Sequence, residues 1–325
     1  MTDPLIVARA IHFASAIMIV GIGVFEALVA GPALECAGPA AVIATSFRAR
    51  MAGLAWAGLA VALLSGGVWL VLLAAKIADK SVYEVTTDGT AWIVLTETRF
   101  GIDWQLRFLT AGLLAGCLLV SKRGKGDFVP YRLPFAILTA VFAGMLAWSG
   151  HGGASSGVPG YVHVAADFVH LIAAGAWVGG LIPLVWLLGT MRRSGRKGWA
   201  HVASDITWRF SNLGILAVGA ILLTGIVNVR FLAGGAQGLT ATHYGHLLLF
   251  KIALFVAMVC FAAINRLYLA PELSIRVDDP ELGTRAVRSL QRNAALEILL
   301  GLIILAIVAI LGITPPGIET HDHVH

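Results

Sequence analysis

Charge is what this sequence has least of. Asp, Glu, Lys and Arg make up 13% of its 325 residues, against about 25% in an ordinary soluble domain, so half of the usual solvating surface is missing. Cysteine is scarce as well. Cys36, Cys117 and Cys260 lie far apart with no CxxC spacing, which excludes a disulfide framework and a thiolate metal motif. No GxxxxGK[ST] occurs, and no stretch is long enough for a soluble nucleotide-binding domain, so any transport must run on a gradient or on a partner. The net charge of +5 does not point to nucleic acid. Its basic residues sit in short loops between apolar runs, where they set membrane orientation instead.

What is present is apolar sequence: 58% of the residues are hydrophobic. Runs of about 20 such residues, the length needed to cross hydrocarbon as a helix, recur from end to end. The expected fold is an all-α polytopic membrane bundle of about eight transmembrane helices, forming one integral membrane domain over residues 1–325. The expected spans are roughly Leu5–Ala30, Met51–Ala75, Ile102–Val120, Leu133–Gly150, Val162–Thr190, Phe210–Phe231, Tyr244–Ala270 and Ala294–Ile313. Arg9, His12 and Glu26 interrupt the first run and no basic segment precedes it, so it reads as a retained helix and not a cleaved signal. Sixteen of the 23 Lys and Arg residues fall in alternate loops, which makes those loops cytoplasmic and puts both termini outside. Between Lys76 and Phe100 lies the longest outer segment, where Asp88 is placed to cap a short interfacial helix.

On this topology nine of the ten histidines gather at the outer side: His12, His151, His163, His170, His243, His246, His321, His323 and His325. Only His201 maps to the other. In the fifth span His163, Asp167, His170, Ala174 and Trp177 recur at i, i+4, i+7, i+11 and i+14, one stripe of a helix. A carboxylate beside a metal-binding imidazole either ligates or orients the ring. The competing reading makes His163 interfacial and His170 an interhelical hydrogen-bonder, but ionisable residues inside a span are costly and mark a site by default. His151 precedes the Gly- and Ser-rich turn HGGASSGVPGY, about a dozen residues from His163, so the two rings can converge. His12 lies two turns down the first span, level with His170. His243 and His246 open the seventh span at i, i+3, either as a metal pair or as an aqueous helix start. The tail HDHVH is a loose metal binder or simply solvated. Imidazole and carboxylate with little sulfur suit Cu(II), Ni(II) or Zn(II), with copper favoured by affinity.

Several stretches together resemble the copper resistance protein D family (CopD/PcoD): TETRFGIDWQLR, SGHGG, DFVHLIAAGAWVGGL and TGIVNVR. The segment HYGHLLLFKIALFVAMVCFAAINRLYLAPEL, then LQRNAALEILLG, is similar to the family's C-terminal domain, here residues 210–313. Tyr244, Gly245, Leu247, Leu248, Lys251, Asn265, Arg266 and Pro271 carry that likeness. The resemblance implies a multi-pass protein of the bacterial inner membrane that moves copper, as Cu(I) or Cu(II), across or into the membrane. It also implies a periplasmic copper carrier of the CopC type as a separate partner, besides the lipid bilayer. Carried over by position, His151, His163 and His170 are the copper contacts, with His12 next. No enzymatic activity is expected. The alternative class is a membrane cytochrome that holds haem b between two histidines for electron transfer.

Overall fold

The computed structural model describes residues 3–36, 42–123, 131–149, 157–195, 198–233 and 236–315, and these form helices joined by short connections, with no strand among them. Eight helical stretches are long and apolar enough to cross a membrane. The first comprises α1 (Pro4–Phe25), a π-helical turn Glu26–Ala30 and α2 (Gly31–Glu35), followed by α3 (Val42–Ala78) as the second. Two short helices, α4 (Val82–Thr87) and α5 (Thr90–Glu97), lead to α6 (Arg99–Arg123), then α7 (Arg132–Gly144) with its 3-10 continuation to Ser149. The fifth crossing runs through α8 (Gly157–Ala174), a π turn Gly175–Gly179 and α9 (Gly180–Ser194), and the sixth is α10 (Trp199–Ala233). A short α11 (Ala236–Thr240) precedes α12 (His243–Ile264), a π turn Asn265–Leu269 and α13 (Ala270–Ile275), and α14 (Pro280–Leu311) is the last crossing.

Each of the three π turns is followed within four residues by a proline. Pro32, Pro183 and Pro271 have no N–H to give, and a proline ring clashes with the carbonyl four residues back. Those carbonyls belong to Leu28, Gly179 and Leu267, and each lies inside a π turn. The wider turn makes room for the ring and lets the helix carry on. Two of these turns, in the fifth and seventh crossings, adjoin the sites described below.

Helix α1 is the axle of the bundle. Asp3 caps it by accepting from the Leu5 N–H at 2.9 Å, with Pro4 opening the first turn. Buried residues line all of its sides, as expected of a helix that is apolar all round. Helices α3, α7, α9 and α14 and the π turn Gly175–Gly179 pack around it. The closest approach is glycine on glycine: a Cβ on Gly21 would run into the Gly179 backbone, and one on Gly179 into the Ile17 carbonyl. Small residues at such crossings are how membrane helices gain contact without hydrophobic driving force.

The helices are longer than their apolar runs. Helix α14 begins at Pro280, where Asp279 accepts from the Glu281 and Leu282 N–H groups at 3.0 Å, fourteen residues ahead of the apolar start at Ala294. Helix α10 likewise begins at Trp199, not Phe210. Hydropathy marks the hydrocarbon boundary, whereas capping marks the end of the helix. In the 76–100 segment Ser81 and Glu84 form a reciprocal capping box on α4. Asp88 accepts from the Thr90 N–H at 2.8 Å and from Lys80 Nζ at 2.7 Å, so it does brace the start of α5. Tyr83 and Trp92 on these helices are exposed, the amphipathic aromatics expected at a lipid headgroup boundary.

Candidate metal centre

Three polar stripes meet where α8, α10 and α12 pack together. On α8 they are His163, Asp167 and His170, and on α10 Thr224, Asn228 and Phe231. The two sets share the i, i+4, i+7 spacing and pair in antiparallel order. The His163 ring lies against Phe231, with centroids 5.0 Å apart and planes 6° from parallel. Asn228 donates to Asp167 Oδ1 at 2.5 Å. His170 Nδ1 meets Thr224 Oγ1 at 2.9 Å. On α12, Tyr244 and Lys251 share a stripe, and both act electrostatically on Asp167.

Hydrogen bonding fixes how His170 is presented. The single hydroxyl proton of Thr224 goes to the Ala220 carbonyl at 2.6 Å. Its oxygen must therefore accept from His170 Nδ1–H, which leaves Nε2 as the nitrogen carrying a lone pair. That is the arrangement by which an outer partner sets a metal-binding imidazole. His163 is enclosed, 2% exposed, and its Nε2 stands 3.9 Å from Asp167 Oδ2, beyond hydrogen-bond length. Half-buried Lys251 also acts on His170, so the stripe holds one carboxylate and one ammonium among imidazoles.

His12 belongs to a different environment. Its Nδ1 faces the Ala62 carbonyl at 2.9 Å and Ser65 Oγ at 3.3 Å on α3, and its Nε2 is met by the Arg107 guanidinium of α6. A guanidinium only donates, so Nε2 accepts and Nδ1–H points to Ala62. Trp69, Trp104 and Phe142 surround the ring. Arg107 in turn lies against the Trp104 and Phe142 faces, each at 5.0 Å, and Arg9 stacks on Trp69 at 4.6 Å. Asp103 accepts from Ser149 at 2.6 Å and acts on Arg107 from nearby. Both ring nitrogens of His12 are engaged, and an ion could reach it only by displacing Arg107.

The remaining histidines are spread out. His243 and His246 are exposed at the start of α12, where Thr242 provides the cap by accepting from Gly245 N–H at 3.0 Å. His246 Nε2 bonds the Thr240 carbonyl at 2.9 Å. His151, His321, His323 and His325 lie outside the described residues. Among the described residues no three His, Cys, Asp or Glu side chains form a group able to hold an ion. At the other end of α1, Glu26 is ion-paired with Arg48 at 2.7 Å and Glu35 with Arg132 at 2.6 Å, while Cys36 is exposed.

Sequence reasoning picked out the α8 stripe but missed its partners on α10. The signal was available: TGIVNVRF repeats the same 4-then-3 spacing, with a hydroxyl, an amide and an aromatic in place of ligands. It also missed the partnership of His12 with Arg107, which joins residues 95 positions apart.

These features define a polytopic helical membrane protein. Residues 1–161 match the family model described as copper resistance protein D-like, N-terminal domain, and residues 204–311 match that of copper resistance protein D. The chain is 30% identical over 274 residues to copper resistance protein D of Pseudomonas syringae pv. tomato, covering 84% of this chain and 85% of that protein. Inner membrane protein YebZ of Escherichia coli is 33% identical over 225 residues, 69% of this chain and 72% of its own length. Copper transport protein CutJ of Bacillus subtilis is 34% identical over 175 residues, 53% of this chain but 31% of its own. The chain belongs to the copper resistance protein D family.

Proposed function

We propose that this protein takes copper at the α8 stripe and passes it into or across the inner membrane. His163, Asp167 and His170 are successive contacts along the stripe and not one preformed cage, with His151 joining them from the preceding loop at the periplasmic side. His243 and His246 serve as an outer capture point. His12 is a later station, open to copper only when Arg107 moves away. A periplasmic carrier of the CopC type would deliver the ion as a separate protein.

The observation that carries this reading is the ladder between α8 and α10. Thr224 sets the His170 tautomer with its lone pair on Nε2, Asn228 holds Asp167, and Phe231 braces the His163 ring. Partners that orient imidazole and carboxylate in this way are half of a working metal site. In the metal-free protein Lys251 balances Asp167 electrostatically. An arriving cation competes with that ammonium, which keeps binding weak enough for the ion to leave again.

The test is copper stoichiometry and copper-dependent growth in the double variant His163→Ala/His170→Ala. Loss of both, with unchanged membrane insertion, is expected. Normal copper content in the double variant would remove these residues from the site. An optical spectrum of the same preparation separates the haem reading, because a reducible Soret band would assign the histidines to haem instead.

A further inference from the structure

A second polar cluster lies outside the stripe described above. Between α9, α10, α12 and α14 lies a half-open cavity of about 290 Å³, mostly apolar, with Glu297 among its lining residues. Glu297 is 1% exposed. Its carboxylate accepts from Asn265 Nδ2 at 2.7 Å and from the Trp177 side chain. Asn293 Nδ2 donates to Asn265 Oδ1 at 3.1 Å, which turns the Asn265 amide so that its N–H group faces Glu297. Among the described residues, the donors to this carboxylate, Asn265 and Trp177, are both neutral. An ionised carboxylate held this way inside a membrane protein is costly, and such groups mark proton relays and ion pathways.

Few charged groups face the cavity. Arg266, on the π turn after α12, lines the cavity and is held by Ser211 Oγ at 2.7 Å and Asn212 Oδ1 at 3.0 Å. On α1, Glu26 is paired with Arg48, and Arg9 lies against Trp69 and Phe13. On α10, Asp205 and Arg209 pair with each other. Arg192 and Arg193 on α9, Lys251 on α12, and Arg288 and Arg292 on α14 do not line the cavity. Among the described residues Arg266 is the one cation facing it, and it stands where the cavity meets the polar Ser211 and Asn212.

Trp177 ties this cluster to the metal stripe. It sits in the π turn Gly175–Gly179, seven residues along the same continuous helix from His170, roughly 10 Å at 1.5 Å per residue. We propose that Glu297 is a proton-binding site that compensates copper charge. With the stripe empty, the carboxylate carries one proton. When a copper cation binds along the stripe, that O–H bond breaks in a larger fraction of molecules and the proton leaves through the cavity toward the Arg266 side. The ionised carboxylate keeps both donors, Asn265 and Trp177. A unit charge about 15 Å away at an effective dielectric near 20 shifts such a proton equilibrium by roughly five- to tenfold. By reciprocity copper affinity rises by the same factor as Glu297 ionises.

This inference rests on the copper reading for the coupling, but not for the proton site itself, and the experiment separates the two. Infrared difference spectra of the full-length protein between acid and alkaline pH, without metal, are expected to show a carboxylic-acid carbonyl band that Glu297→Gln removes. Absence of that band in the parent, or its persistence in the variant, overturns the proton site whether or not copper binds. Copper is then added in weak buffer with a pH indicator. The parent is expected to release more protons per copper than Glu297→Gln, and its copper affinity to rise five- to tenfold more than the variant's across the titration of Glu297. Equal release from both proteins overturns the coupling, whereas a pH-dependent band without any copper binding overturns the copper reading and leaves the proton site standing. In glutamine an NH2 donor replaces one of the two acceptor oxygens and would face the Trp177 or Asn265 N–H, so Glu297→Gln/Trp177→Phe provides the same readout if the single variant folds poorly.

Discussion

The contact between Gly21 and Gly179 invites a quantitative test. In Gly21→Ala the new Cβ would collide with the Gly179 backbone, and no flexible side chain is available to give way. Overpacking of this kind costs about 1–3 kcal/mol, and a backbone neighbour puts the change at the upper end, about 3 kcal/mol. Alanine recovers about 1 kcal/mol of helix propensity over glycine, which leaves a net loss of about 2 kcal/mol. Gly67→Ala in α3 is the control, since a Cβ there meets nothing within 4 Å and only the propensity term remains. Heat inactivation of a polytopic protein is irreversible in practice, so the half-life at fixed temperature is the quantity to measure. If the full 2 kcal/mol falls on the unfolding barrier, Gly21→Ala shortens that half-life about thirtyfold, while Gly67→Ala leaves it equal or longer. Equal half-lives for Gly21→Ala and the parent would refute the claim that α1 and the bulged fifth crossing touch through these glycines. The functional stake is that the same bulge carries Trp177 and connects it to His170.

Other perturbations have equally definite outcomes. Replacing His12 by Ala leaves Arg107 without its imidazole acceptor in an aromatic cage, where breaking a buried charged contact costs about 3–5 kcal/mol; folded yield is expected to fall sharply, measured by detergent size exclusion. Lys251→Met removes the ammonium that balances Asp167 and is expected to tighten copper binding in equilibrium dialysis, with unchanged or weaker affinity counting against competition between the two cations. The Ser81 hydrogen bonds to its side chain hold Glu84 below its ordinary 4.5, and the Lys80 and Thr90 bonds hold Asp88 lower still. Their folded forms therefore bind fewer protons than the unfolded ones, so the order they give α4 and α5 is present above the ordinary carboxylate range and lost as pH falls through the depressed values. Hydrogen exchange over residues 81–97, corrected for intrinsic rates, is expected to keep its protection near neutrality and lose it only in strong acid. Loss already at mild acidity would show that the capping box does not hold the segment.

Eight crossings were legible because apolar length is a one-dimensional property, and the bilayer reads it residue by residue. Helix ends such as Trp199 and Pro280 were not, because a capped helix runs on into polar sequence that hydropathy does not score. The α8 stripe could be read from its i, i+4, i+7 spacing, which is local. Its partners Thr224, Asn228 and Phe231 show the same periodicity, yet nothing along the chain says which two helices face each other. His12 illustrates the limit best. Its depth in the first span was apparent, but its neighbours Ala62, Ser65, Trp104 and Arg107 come from two other helices.

By itself, then, the sequence determined that this is a membrane bundle of about eight crossings, and its motifs determined the family. Those properties depend on composition and on spacing within a helix. The tertiary structure decided which nitrogen of His170 is offered, that His12 serves Arg107, and that Glu297 ends up beside Trp177 with neutral donors around it. Each of these depends on which side chains from distant helices share a low-dielectric space, where a single hydrogen bond or charge fixes the chemistry of its neighbour.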